Sequence, residues 1–241
     1  MRLTEEWVSF GEWAAELGAP LSGQQLEQFS QYQALLLEWN EWMNLTAVRQ
    51  PEEIRLRHFL DSLSCARVMG DLNGRTLIDV GTGAGFPGLP LKILFPQLTL
   101  TLVESVAKKG RFLQAVVDEL ALTGVTILAD RAEQLGQSPA HRQQYDWAVA
   151  RAVAELRVLA EYLLPLCRVG GQMLAQKGEG VFAEMEAAQD AFRQLGGSAP
   201  KLEQVTLPGR DQPHYLVLVT KMGETPTNFP RRVGVPGKRP L

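Results

Sequence analysis

The residues with most chemical potential lie in Thr76-Leu77-Ile78-Asp79-Val80-Gly81-Thr82-Gly83-Ala84-Gly85-Phe86-Pro87-Gly88. An apolar run ends in three glycines at alternate positions, and Pro87 suits the start of a helix. Glycine lets the backbone turn sharply and lets a ligand approach with no Cβ in the way. Strand, glycine turn and helix in this order form the first βα turn of a doubly wound sheet, whose ligand crevice opens at the carboxyl ends of the strands. Glu104 closes the next apolar run, 19 residues beyond Gly85, where a carboxylate can accept hydrogen bonds from an adenosine ribose. Asp130-Arg131-Ala132-Glu133 ends the third run, and Trp147-Ala148-Val149-Ala150 delivers Arg151 to the crevice from the fourth.

The glycine spacing narrows the cofactor. Counted from the strand end, the frame is Gly81-x-Gly83-x-Gly85, with Phe86 where a Gly-x-Gly-x-x-Gly dinucleotide fingerprint needs glycine. The frame Gly83, Gly85, Gly88 restores that fingerprint two residues late. With Asp79 before it, the strand-adjacent frame resembles motif I of class I S-adenosylmethionine-dependent methyltransferases, whose cofactor has no pyrophosphate to cradle. A nicotinamide-dependent oxidoreductase is the rival reading, and a catalytically silent RNA-binding protein on the same fold is another. Arg151-Ala152-Val153 lacks the Asn/Asp-Pro-Pro-aromatic signature of adenine amino-group methylation. Carbon methylation of cytosine needs a cysteine nucleophile in an exposed loop. Cys65 falls in a helical pattern and Cys167 at an expected helix end, both suited to burial. No Ser/His/Asp or metal-ligand spacing stands out around His58, His141 or His214. The absence of an evident base suggests an acceptor with a free lone pair, such as an aromatic ring nitrogen. Placing such an atom in line with the donor methyl supplies on the order of 7–11 kcal/mol at best.

These residues need a scaffold. Residues 4–70 read as helices, with Thr4 and Ser22 as N-caps and Leu26, Phe29, Leu36, Trp39 and Met43 as an apolar stripe. From Thr76, apolar runs at 76–80, 98–103, 125–129, 146–150 and 171–175 alternate with helical patterns near 88–95, 106–122 and 153–167. The alternation predicts βαβ units, a parallel sheet and right-handed crossovers. A further helix is expected over 180–195, then strands at 202–207 and 214–220 joined through Pro208-Gly209-Arg210-Asp211-Gln212-Pro213. From Glu224 onward, Pro226, Pro230, Pro236 and Pro240 predict an extended, poorly ordered tail. This divides the chain into a helical extension (1–70), a catalytic domain (71–221) and a basic, proline-rich tail (222–241).

Composition bounds the rest. The 241 residues are 45% hydrophobic and 21% charged, ordinary globular usage that excludes a fibrous or largely disordered chain. Two cysteines build no disulfide framework, no apolar run is long enough to span a bilayer, and Glu5-Glu6 stands where a signal peptide needs an apolar core. The expectation is a cytoplasmic protein with no membrane and no required metal. Net charge is −3, but residues 221–241 carry +4, so an acidic body of −7 ends in a basic tail suited to a phosphate contact.

Over nearly its whole length the chain resembles the RsmG (GidB) family of bacterial 16S rRNA guanine-N7 methyltransferases. The matching segments are Trp39-Asn40, Asn44-Leu45-Thr46-Ala47-Val48, Arg57-His58-Phe59-Leu60-Asp61-Ser62-Leu63, Asp79 to Lys92, Glu104-Ser105, Lys108-Lys109, Arg111-Phe112-Leu113, Arg131-Ala132-Glu133, Ala150-Arg151-Ala152-Val153, Lys177-Gly178 and Pro230-Arg231-Arg232-x-Gly234-x-Pro236-x-Lys238. The resemblance implies a Rossmann-like α/β fold: a mostly parallel seven-stranded sheet with an antiparallel terminal strand, plus the helical extension. It implies S-adenosyl-L-methionine as cofactor and 16S rRNA, within the 30S subunit or its precursor, as substrate. Carried over by position, cofactor contacts fall on Gly81, Gly83 and Phe86 at the methionine end. Glu104, Ser105 and Val106 then lie along ribose and adenine, Ala132 and Glu133 at the adenine, and Arg151 orients donor or acceptor with no general base assigned. Asp79 and Gly85 shape the turn, and Asn44 holds the helical extension against the sheet. RNA contact is expected from Arg49, Arg55, Arg57, His58, Lys108, Lys109, Arg111, Arg231, Arg232 and Lys238.

Overall fold

The structure is a computed structural model and describes residues 4–208 and 213–241. It opens with α1 (Glu5–Glu16) and α2 (Gly23–Met43). Ser22 caps α2 in a reciprocal box: its hydroxyl accepts from the Gln25 amide at 3.3 Å and its own amide donates to Gln25 Oε1 at 2.8 Å. Thr4 stands at the N-cap of α1 but makes no side-chain capping bond. Asn44 ends α2 in the left-handed region (φ 51°) and is exposed. It therefore terminates a helix rather than bracing the extension. That bracing falls to Asn40, whose amide both donates to and accepts from the Thr46 backbone at 2.9 Å.

A broken helical run follows: α3 (Pro51–Ile54), a π-helical stretch (Arg55–Leu60), α4 (Asp61–Leu63) and α5 (Ala66–Met69). The wide π turn buries Leu56, Phe59 and Leu60 while keeping Arg57 and His58 at the surface of the layer. Such turns are rare and concentrate at functional sites.

The αβ alternation then runs β1 (Thr76–Val80), α6 (Gly88–Leu94), β2 (Thr99–Val103), α7 (Ala107–Glu119), β3 (Val125–Leu128), α8 (Ala132–Leu135), β4 (Tyr145–Arg151), α9 (Leu156–Leu163), β5 (Cys167–Lys177), α10 (Val181–Gln194), β6 (Lys201–Val205), β7 (His214–Thr220) and α11 (Val235–Lys238). Among the described residues seven strands form one sheet in the order β3-β2-β1-β4-β5-β7-β6. β1 to β5 pair in parallel, and β7 runs antiparallel between β5 and β6. The order reverses between β1 and β4, so a crevice opens beyond their carboxyl ends. Cys167 is the first residue of β5 rather than part of a helix end, because α9 ends at Leu163, four residues earlier than periodicity suggests; both cysteines are buried. Of the expected 208–213 connection, residues 209–212 lie outside the described residues.

Alternation along β1 assigns the two faces. Leu77 packs with α1, α2, α6 and α7, whereas Ile78 and Val80 pack with α9 and α10. Phe10, Phe29, Tyr32 and Phe59 of the helical segment share one continuous core with Leu77, Leu100 and Trp147 of the sheet.

The C-terminal segment is packed, contrary to the expectation drawn from its prolines. Thr225, Phe229 and Pro236 are buried and Leu241 rests on the core beneath α9. The Arg142 guanidinium donates to the carbonyls of Thr225 (2.6 Å), Phe229 (2.7 Å) and Gly136 (2.7 Å). Prolines lower the entropy lost on ordering such a segment, and a buried aromatic with satisfied carbonyls supplies the attraction.

Candidate active site

The glycine turn is built around Asp79 and Glu104. Asp79 Oδ2 accepts from Thr82 Oγ1 at 2.7 Å and from the Gly88 amide at 2.8 Å, which draws the start of α6 back to β1. Its Oδ1 is buried without a hydrogen-bond partner among the described residues. Burial pushes the Asp79 carboxyl up to about 7, opposed by those two hydrogen bonds and by Arg151. Gly81 has φ 69°, and a Cβ there would stand 2.7 Å from Val153 Cγ2. Gly83 also has positive φ (62°), but its Cβ position meets nothing within 4 Å, so the turn is open on the side where a ligand would lie. Tyr32 of α2 reaches across to donate to the Ala84 carbonyl, tying the helical layer to the turn.

Glu104, 6% exposed at the end of β2, accepts from the Gly83 amide (3.1 Å) with Oε2 and from the Val106 amide (2.8 Å) with Oε1. A carboxylate offers about four acceptor sites, so this one is anchored and still has lone pairs to offer. Beside it lies a cavity of about 140 Å³ lined by Gly81, Ser105, Ala132, Glu133 and Tyr162 among others. Ser105 is exposed, and Val106 contributes its amide while its side chain stands 46% exposed. Glu133, in the first turn of α8, is buried; its Oε1 accepts from the Gly234 amide at 2.9 Å, and it is also hydrogen-bonded to Tyr162.

Arg151 ends β4, and Ala152 then turns the chain with φ 54°. Its guanidinium lies 4.8 Å over the Phe86 ring and donates to Asp61 Oδ2 (3.0 Å) and the Arg57 carbonyl (3.1 Å). On Phe86 also stacks His58 at 4.7 Å between centroids, with its Nε2 2.7 Å from Thr46 Oγ1. Burial and the Arg151 cation push the His58 imidazole down to about 4, so the ring is neutral at pH 7.

A second cavity, of about 380 Å³, is lined by Arg151 together with Arg57, His58, Asp61, Gln176, Glu179 and His214. Here the fold assembles a buried network with no counterpart in the sequence spacing. Asp61 Oδ1 lies 3.2 Å from His214 Nδ1, and Gln176 donates to the Asp61 carbonyl at 2.9 Å. Asp61, Gln176 and His214 were not among the expected site residues. The signal for two of them is positional: Gln176 stands at the carboxyl end of β5, and His214 at the start of the strand that pairs antiparallel with it, so both reach the crevice edge.

The expected RNA-contacting residues separate. Arg49, Arg57, Lys108, Arg111, Arg232 and Lys238 are exposed, and Lys109 is half-buried with its ammonium 3.9 Å from Glu104. Arg55 points instead into the helical layer, where it is buried over the Trp7 ring and bound to Glu6 at 3.1 Å. Arg231 grips the buried Glu161 through both its backbone amide (2.6 Å) and its guanidinium (2.6–3.0 Å). Those two cations are held against carboxylates of distant segments, whereas Arg57, paired with Glu53 of the preceding turn, keeps its guanidinium at the surface.

Comparisons with known proteins agree with this architecture. A family model described as rRNA small subunit methyltransferase G matches residues 25–212. A protein of Roseiflexus castenholzii named ribosomal RNA small subunit methyltransferase G is 51% identical over 95% of this chain and 97% of its own length. One of the same name from Alkaliphilus metalliredigens is 48% identical over 94% and 95%. Among solved structures, an S-adenosylmethionine-dependent O-methyltransferase of Thermotoga maritima shares the fold, with a TM-score of 0.54 at 14% identity over 79% of this chain and 72% of that one. A predicted O-methyltransferase of Agrobacterium tumefaciens superposes with a TM-score of 0.53 at 18% identity, covering 65% and 78%. With the sheet order, the glycine turn and the acid at the end of β2 all in place, this chain belongs to the rRNA small subunit methyltransferase G (GidB) family.

Proposed function

We propose that this protein transfers the methyl group of S-adenosylmethionine to N7 of a guanosine in 16S rRNA, acting in the cytoplasm on the 30S subunit or its precursor. The observation that carries the reading is the position of Arg151. It lines the larger cavity while its guanidinium lies over Phe86 of the glycine turn, which puts it beside both the turn that would hold the donor and the space open to an acceptor.

The residues present fit the donor. The Glu104 carboxylate, already oriented by two backbone amides, would accept from the ribose hydroxyls. Ser105 and Val106 would flank the adenine, with Ala132 and Glu133 at its far end. Gly81, Gly83 and Phe86 would hold the methionine end, where the open Cβ position at Gly83 leaves room. When bound, S-adenosylmethionine supplies an electrophilic methyl on a positively charged sulfur. Asp61 neutralises Arg151, so the guanidinium can orient the reactants without repelling that charge. His58 and Phe86 stack into a flat wall beside Arg151, against which a planar base could lie.

Guanine N7 carries a free lone pair, so no proton need be removed before attack, and positioning is the main contribution of the protein. Glu179, exposed at the rim of the larger cavity, is an acceptor matched to the N1–H and N2–H donors of guanine. Arg49, Arg57, Lys108, Lys109 and Arg111 supply positive charge for the flanking phosphates. The test is mass spectrometry of 16S rRNA from cells lacking the gene, before and after complementation. N7-methylguanosine should vanish and return; an unchanged level overturns the assignment.

A further inference from the structure

The C-terminal segment meets the site at Glu133. This carboxylate is 5% exposed and borders two cavities, the one of about 140 Å³ beside Glu104 and one of about 480 Å³ enclosed by Pro230, Arg231, Arg232 and Val233. Four contacts fix the tail around it. Gly234 donates its amide to Glu133 Oε1 at 2.9 Å. Three residues earlier, Arg231 clamps Glu161, which is fully buried on α9 and precedes Tyr162, the side chain that also bonds Glu133. Gln137, just beyond α8, donates to the Pro230 carbonyl at 2.9 Å, and Gly136 packs against the Pro230 ring so closely that an added Cβ would stand 2.7 Å from Cγ. The segment thus bridges α8 and α9, the two helices whose side chains form the far end of the pocket.

We propose that residues 229–234 are a positioning wall of the donor pocket, in which the Gly234 amide holds Glu133 in place and so sets the affinity for S-adenosylmethionine. This rests on the reading that Glu133 closes the adenine end of the pocket. A buried carboxylate deprived of a donor rotates toward other donors or toward water. With Gly234 displaced, Glu133 would swing out, the two cavities would merge, and the adenine would lose one side of its enclosure. The segment touches no reacting atom, so its effect falls on donor binding and not on the acceptor.

The experiment uses the full chain with single substitutions, measuring S-adenosylmethionine affinity by calorimetry, KM for 30S subunits and thermal unfolding. Gly234→Pro removes the amide proton and cannot adopt the positive φ of 78° found there. It should weaken donor binding about tenfold with KM for 30S unchanged. Gly234→Asn keeps the amide and tolerates that backbone, so it should bind within about twofold of the parent. Arg231→Lys retains the charge beside Glu161 but loses the forked clamp, and should weaken donor binding several-fold even if the proline variant fails to fold. Donor affinity unchanged in both Gly234→Pro and Arg231→Lys overturns the proposal, as does a raised KM for 30S with donor affinity intact, which would make the segment an RNA contact. Glu133→Gln separates the wall from the pocket that it encloses. If it weakens donor binding while the tail variants do not, the wall is wrong; if none of the three has an effect, the placement of the adenine is wrong.

Discussion

Arg151 makes its contacts within the protein before any substrate arrives: Asp61, the Arg57 carbonyl and the face of Phe86 hold the guanidinium in one orientation. Arg151→Ala should therefore keep cofactor affinity within about tenfold and abolish methylation, measured by calorimetry and by methyl incorporation into 30S subunits. A large loss of cofactor affinity would reassign the residue to the donor pocket. His58 illustrates a different consequence of burial. With its imidazole at about 4 against 6.5 in an unfolded chain, the unfolded state takes up the proton first as pH falls. His58 therefore lowers stability progressively as pH drops from about 6.5 to about 4, and contributes no pH dependence above that window. Histidine NMR titration should show one ring silent above pH 5, and His58→Asn should flatten the acid limb of the stability curve. A ring that is neutral at pH 7 does not act as a phosphate-binding cation, so His58 belongs to the wall of the site and not to its electrostatic rim.

At the scale of elements, the turn after β1 and the π-helical stretch do most to place these side chains. Gly81 combines a left-handed backbone with contact against Val153, so Gly81→Ala should cost roughly 1–2 kcal/mol from the backbone alone. Displacement of Val153 should add to that cost and disturb the strand end that carries Arg151; denaturant unfolding and donor affinity would report both. The glycine turn was legible in the sequence because the requirement is local: a backbone that must turn at the end of a strand admits few residues. The π-helical stretch was not, since its extra residue per turn changes which of Arg55, Arg57 and His58 face inward without changing the apolar pattern. Arg55, in sequence one of a basic group, is thus a buried partner of Glu6.

For the whole molecule, charge and core divide the labour. The helical segment and the sheet share one hydrophobic core, so the extension forms a layer that carries Tyr32, His58 and Asp61 to the crevice. The overall charge of −3 keeps indiscriminate nucleic-acid binding weak, and contact with RNA must come from local clusters. In the tail, Arg231 is committed to Glu161 while Arg232 and Lys238 are exposed. Arg232→Gln with Lys238→Gln should lower the salt dependence of 30S binding by about 0.7–0.9 in slope for each phosphate no longer neutralised. An unchanged slope would show that neither side chain meets phosphate.

The strand–glycine–helix turn, the acid ending β2, the alternation that makes a mostly parallel sheet and the ordered motifs that mark the family can all be read from the amino-acid order. Each of these is written in neighbouring residues, because backbone geometry and side-chain periodicity act over a few positions. Which basic side chains are committed to carboxylates far along the chain followed from the packing of distant segments. That packing brought Asp61 to His214 and Gln176, set Arg231 on Glu161, and folded a proline-rich end back onto Glu133. Those contacts join residues between about 70 and 150 positions apart, and their strength comes from removal of both partners from water, a condition that exists only once the layers have packed.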